Sequence, residues 1–179
     1  MIVDSTKTGL ANLILAINSA NSTALLSDTN ATFDPPIALV SPMGIRDTSV
    51  TVTPVNNADF IGGPQTFFYR RVSLDQNVVA PDLSYEVNDS TTLTTLKAIV
   101  CTTLNLIPAE VQWQESSLER DPADQGGTGF KTYLHLEPLA TSYVYDGDPL
   151  TIECEWAPSD QDISTVFTTT NLDSFDPVV

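Results

Sequence analysis

Apolar residues recur at helical spacing in two places along the chain. Leu10, Leu13, Ile14 and Ile17 fall on one face of a 3.6-residue turn, and Leu93, Leu96, Ile99 and Val100 do the same. Leu10, Leu13 and Ile17 stand 83 residues before Leu93, Leu96 and Val100, so the stripe is shared without a gap. Past the helices the offset drifts to 81 at Leu25 and Leu106, and to 80 at Phe33 and Trp113. Ser5 or Thr6 supplies an N-cap for a first helix that ends near Ala20, closed by Asn18 and Asn21. Asp89, Ser90 or Thr91 opens a second that runs to about Thr103.

Downstream of each helix the period changes to two. Thr48 to Val55 alternates, with Val50 and Val52 set against Thr51 and Thr53, and Gln65 to Leu74 reads as its strand partner across a loop that ends in Gly62-Gly63-Pro64. Asp34-Pro35-Pro36 forces extended backbone ahead of this pair. In the second half Pro108-Ala109-Glu110 starts a short turn and Val111 to Gln114 begins a strand. Thr132 to Glu137 and Leu150 to Trp156 form a strand pair, with a turn at Asp146-Gly147-Asp148-Pro149. Leu83 to Val87 suits an edge strand.

These patterns predict an α+β chain of two tandem small modules, residues 1–80 and 88–157, each one helix followed by an antiparallel β-hairpin or meander. A repeat of about 80 residues is too long for a solenoid, whose periods run from 20 to 50. Residues 158–179 have no counterpart in either module. They read as a C-terminal extended arm, with Ile163, Val166, Phe167, Leu172 and Phe175 as candidate interface residues; the competing reading is a terminus without fixed structure.

Composition narrows the function classes. The 179 residues carry 23 acidic against seven Lys and Arg side chains, a net charge of −16, which opposes contact with a phosphate backbone. Nucleic acid is therefore not expected as a partner. The acidity suits a well-solvated surface or a face complementary to a basic partner. No apolar run approaches the ~20 residues of a membrane helix, so no membrane association is expected. The first residues lack the basic start and apolar core of a secretory signal, and the expected origin is the cytoplasm. Cys101 and Cys154 show no metal-ligand spacing and read as buried small hydrophobes.

Candidate chemistry is sparse. The single histidine, His135, sits in a predicted strand as an exposed or edge position without a nucleophile motif beside it. Gly126-Gly127-Thr128-Gly129 lacks a phosphate-gripping Lys. Asp146 with Asp148, and Asp121 with Asp124, have the look of turn chemistry and not of a calcium loop. Of Arg70 and Arg71, one is expected to point inward and pair with an acid. No catalytic, cofactor-binding or metal residue is assigned, and the chain is expected not to be an enzyme.

The helix Leu10-Ala-Asn-Leu-Ile-Leu-Ala-Ile-Asn18, the following Ser27-Asp28 and Phe33, the strand Asp47-Thr-Ser-Val-Thr-Val-Thr53 and Phe68-Tyr-Arg-Arg-Val-Ser-Leu74 carry a resemblance. This module resembles one found in a family of virion structural proteins of large tailed bacteriophages, often followed by a degenerate second copy. The likeness covers about residues 8 to 113, and the second copy departs from the first in carrying Lys97 where Ile14 stands. The resemblance implies a non-enzymatic component of the virion, in the head, neck or tail, present as a homo-oligomer and bound to other virion proteins. It needs no cofactor. Candidate anchors are Phe67, Phe68, Tyr69, Phe167 and Phe175, the first three competing with a role in the module core. The alternative is a particle-displayed receptor- or glycan-binding module, to be sought at Trp156, Tyr143 and Tyr145 near Asp146 and Asp148.

Overall fold

The computed structural model describes residues 3–21, 25–55, 62–77, 83–120 and 131–156. Helix α1 spans Gly9–Ala20, with Thr8 as N-cap, its hydroxyl accepting from the Ala11 N–H at 3.1 Å. The cap lies two residues beyond Thr6 because the preceding residues make a turn of their own. Asp4 accepts from the Thr6 N–H and hydroxyl, an Asx-type competition with helix. Buried Asn12 then ties this turn down, exchanging hydrogen bonds with the Asp4 backbone at 2.8 and 3.0 Å.

Four β-strands follow, two of them sharing one edge. Strands β1 (Ala31–Phe33), β2 (Ile37–Met43), β3 (Arg46–Pro54) and β4 (Gln65–Tyr69) form one antiparallel sheet around β3. Strand β4 lines one side of β3; β1 and β2 share the other, β1 beside Val52–Pro54 and β2 beside Arg46–Ser49. Asp34-Pro35-Pro36 separates them, since proline cannot donate to the ladder. The alternation of β3 buries Thr48, Val50 and Val52, and α1 covers that face with Leu13 and Ile17.

Strand β5 (Val72–Ser73) and the single turn α2 (Leu74–Asn77) leave the first sheet, and β5 pairs in parallel with β9 (Tyr145–Asp146). The predicted strand Gln65 to Leu74 is thus two strands in two sheets, broken at Arg70-Arg71. Strand β6 (Ser84–Val87) is an edge strand, as expected, but runs parallel to β10 (Leu150–Trp156). Strand β8 (Lys131–Pro138) lies between β10 and β7 (Val111–Trp113), giving the order β6-β10-β8-β7. The α+β class holds, whereas the purely antiparallel plan does not. A parallel partner 69 residues away leaves no trace in local periodicity.

Helix α3 (Leu93–Thr103) is capped by Thr92 in a reciprocal box with Thr95. The predicted cap residues are occupied in a turn around the Asn88 side chain, which accepts from Ser90. Past the Leu104 C-cap, Asn105 has a φ of 55° that lets the Leu106 N–H reach the Cys101 carbonyl at 2.8 Å. Its face packs Leu96, Val100 and Cys101 onto Leu134, Leu136, Ile152 and Cys154. This second cluster is separate from the first, and Tyr143 is partly buried against both. The candidate arm residues Ile163, Val166, Phe167, Leu172 and Phe175 lie outside the described residues.

Candidate functional site

Two features stand out: a polar seam between the clusters and an apolar face on the first sheet. The seam is organised by Arg71, whose side chain is only 11% exposed. Its Nε donates to Thr48 Oγ1 at 3.1 Å and lies 3.7 Å from Asp146 Oδ2, while Nη1 donates to the Ser142 carbonyl at 3.3 Å. One guanidinium therefore joins the central strand of the first sheet to the 142–146 segment of the second half. Arg70 is exposed, so the two arginines part company as expected, although in the break after β4 and not within a strand. Burial raises the Asp146 pKa, with Arg71 opposing the shift.

Glu110 sits on the other side of this seam. It is buried, and its Oε2 accepts from the Tyr143 N–H at 2.8 Å. Its carboxylate occupies the space a side chain on Gly9 would fill, which explains a glycine in the first turn of α1. A negative group there complements the positive end of the helix. The Tyr69 hydroxyl is buried without a hydrogen-bond partner among the described residues. Burial pushes its pKa well above the usual phenol range, with Arg71 pulling the other way. Glu110 and Ser142 carry no signal in the sequence, since their roles arise from packing between distant segments; Tyr143, sought as part of a glycan platform, is partly buried against both clusters instead.

The remaining candidates lie in local contacts away from the seam. His135 faces outward from β8, an inner strand, with Nδ1 2.7 Å from Glu115 Oε1; Glu115 Oε2 accepts from the His135 N–H at 2.9 Å. Burial alone would raise the Glu115 pKa, but the bonds from His135 outweigh it and hold it below its usual 4.5. The sign follows: a carboxyl depressed on folding stabilises above the unfolded value and loses that contribution as pH falls through the folded one. Glu115→Gln is expected to flatten the loss of stability as pH falls below 4.5, measured as urea midpoints across that range. An unchanged slope would refute the role given to this pair.

Trp156 and Tyr145 are core residues, 5% and 2% exposed, with the indole N–H donating to Thr132 Oγ1 at 2.9 Å and the phenol accepting from the Ile107 N–H at 3.2 Å. They offer no stacking platform beside Asp146. Cys101 and Cys154 are buried and unpaired, and burial pushes both thiols up to about 11. Among the described residues no cluster of three His, Cys, Asp or Glu is arranged to hold a metal. The loops with Asp121, Asp124 and Gly126 to Gly129 lie outside the described residues. No helix of the described residues is long and apolar enough to cross a membrane.

The apolar face is the feature local patterning missed. Strand β2 and its turn expose Ile37 at 63%, Val40 at 102%, Met43 at 54% and Ile45 at 77%. Among the described residues strand β2 is an open sheet edge, its register slipping between Ala38 and Met43, and edges of this kind invite pairing with another chain. Phe67 and Tyr69 pack against the first cluster, whereas Phe68 is exposed beside the hairpin turn.

A family model described as a family of unknown function, DUF7941, matches residues 5–178. The chain belongs to that family. No curated protein and no solved structure is similar to this DUF7941 member. The match takes in both clusters, the seam and the residues after Trp156.

Proposed function

We propose that the chain is a non-enzymatic structural component of a tailed-phage virion, a head, neck or tail accessory or decoration protein acting through homo-oligomeric contacts and contacts with other virion proteins. The observation that carries this reading is the set of exposed apolar side chains on the β2 edge and its hairpin turn, Ile37, Val40, Met43 and Ile45, since apolar surface exposed in quantity marks protein contact surfaces. The net charge of −16 favours proteins over nucleic acid as partners.

A duplicated scaffold supports the same reading. The unit is a helix, a short edge strand, a long strand and a third strand: α1, β1, β3 and β4 in residues 1–80, and α3, β7, β8 and β10 in residues 88–157. Phe33 ends β1 opposite Val52, and Trp113, 80 residues on, ends β7 opposite Leu136. Strands β1 and β7 share one burial order along their three residues. Repeating a scaffold without repeating any polar constellation enlarges contact surface, which suits assembly. Residues 158–179 complete the plan as an arm that docks on neighbours.

Electron microscopy of particles assembled without this protein tests the proposal. Loss of a defined density, restored by adding the protein back, is the expected result; particles with unchanged density would overturn it.

A further inference from the structure

The first half carries a second apolar feature next to the hairpin, and its chemistry selects an occupant. A groove of about 270 Å³ runs between α1 and the hairpin turn, lined by Leu13, Ala16, Ile17, Ile45, Phe67 and Phe68. Pockets for small ligands start at roughly 300 Å³ and gather several convergent polar groups. This groove is smaller and apolar, sized for one or two inserted side chains. Its rim holds Arg46 and Arg70, two of only seven basic residues in the chain. Both are exposed, and neither makes a salt bridge among the described residues.

An apolar slot between two exposed cations that make no salt bridge among the described residues calls for an apolar segment bearing carboxylates. The stretch from Ala157 to Val179 has that composition: Ile163, Val166, Phe167, Leu172 and Phe175 alternate with Asp160, Asp162, Asp173 and Asp176, and it contains no Lys or Arg. Its 23 residues span up to about 75 Å when extended, enough to reach a neighbouring molecule. Elsewhere two copies of a chain with net charge −16 repel, and the arginine rim is where that repulsion is reversed.

We infer that the groove between α1 and the β2–β3 turn receives residues 157–179 of a second copy, with Phe167 inserted and Asp162 held by Arg46 or Arg70. The inference rests on the assembly reading for its choice of a neighbouring copy. Each copy both gives and receives a segment, a head-to-tail contact that closes into rings when the rotation permits.

The test uses the full chain with Phe167→p-benzoylphenylalanine, mixed as unlabelled and ¹⁵N-labelled protein, irradiated and mapped by mass spectrometry. Cross-links between differently labelled copies, landing on residues 13–20, 45–46 or 67–70, are expected. They should fall at least tenfold in Arg46→Glu/Arg70→Glu, whose two sites are exposed, and weaken as salt is raised. Cross-links within one copy, at other positions, or absent altogether would overturn the inference. Its failure is separable from that of the assembly reading: particles that lose density while cross-links land elsewhere refute the groove alone, and correct cross-links with unaltered particles refute the virion role alone.

Discussion

Arg71→Ala is expected to cost about 2 to 4 kcal/mol, because it removes the one side chain that satisfies Thr48, Ser142 and Asp146 together. Breaking a fully buried ion pair costs about 3 to 5 kcal/mol, chiefly by stranding the charge left behind. Asp146 is 24% exposed and 3.7 Å away, so solvent screens part of that penalty. For a chain of this length the change corresponds to a fall of roughly 10 °C in midpoint temperature. Arg70→Ala, at an exposed neighbouring position, should stay within about 0.5 kcal/mol. Arg71→Lys should not restore stability, since an ammonium cannot aim one edge at Thr48 and another at the Ser142 carbonyl. Thermal unfolding of the three variants decides the matter: equal losses at 70 and 71 would remove Arg71 from the seam.

What could be read from the sequence was whatever repeats within a few residues. The stripes of α1 and α3, the alternation of β3, and the strands β8 and β10 all declare themselves at periods of 3.6 and 2. Each helix start lay later than its first plausible cap, because Asp4 and Asn88 capture nearby hydroxyls and N–H groups before the helix begins. Strand β2 was not visible: Ile37-Ala-Leu-Val-Ser-Pro-Met43 neither alternates nor avoids proline, and six of its seven positions are exposed. The parallel pairings were invisible for a different reason, since nothing in Ser84–Val87 names Glu153–Trp156 as its partner. The same limit applied to function. The alternation of neighbouring strand residues indicated that one of Arg70 and Arg71 turns inward, but the acceptors Thr48 and Ser142 and the buried Glu110 depend on tertiary packing. Trp156 and Tyr145 show the converse, as aromatic residues near acids that the core claims first.

The two clusters differ in size, and that difference sets how each half responds to truncation. Among the described residues the first buries five hydrophobic side chains and the second sixteen. Leu13 is 1% exposed and Leu136 0%, so truncating either to alanine removes contacts that cannot be replaced, at a cost of about 2 to 5 kcal/mol. A loss of that size is most of what a small core can supply, and a modest one for the larger. Leu13→Ala is therefore expected to open α1 and β1 to β4 while β8 and β10 keep their protection, as followed by hydrogen exchange with mass spectrometry. Leu136→Ala should weaken the second half and leave it folded. If both variants lower protection evenly across the chain, the halves form one cooperative unit, and the tandem-module part of the proposal falls. An uneven response would mean that the apolar hairpin and its groove ride on the weaker half. That half then gains most from being covered, because a partner at concentration c that binds only the folded form stabilises it by RT ln(1 + c/Kd), which rises with the logarithm of the partner's concentration once that exceeds Kd.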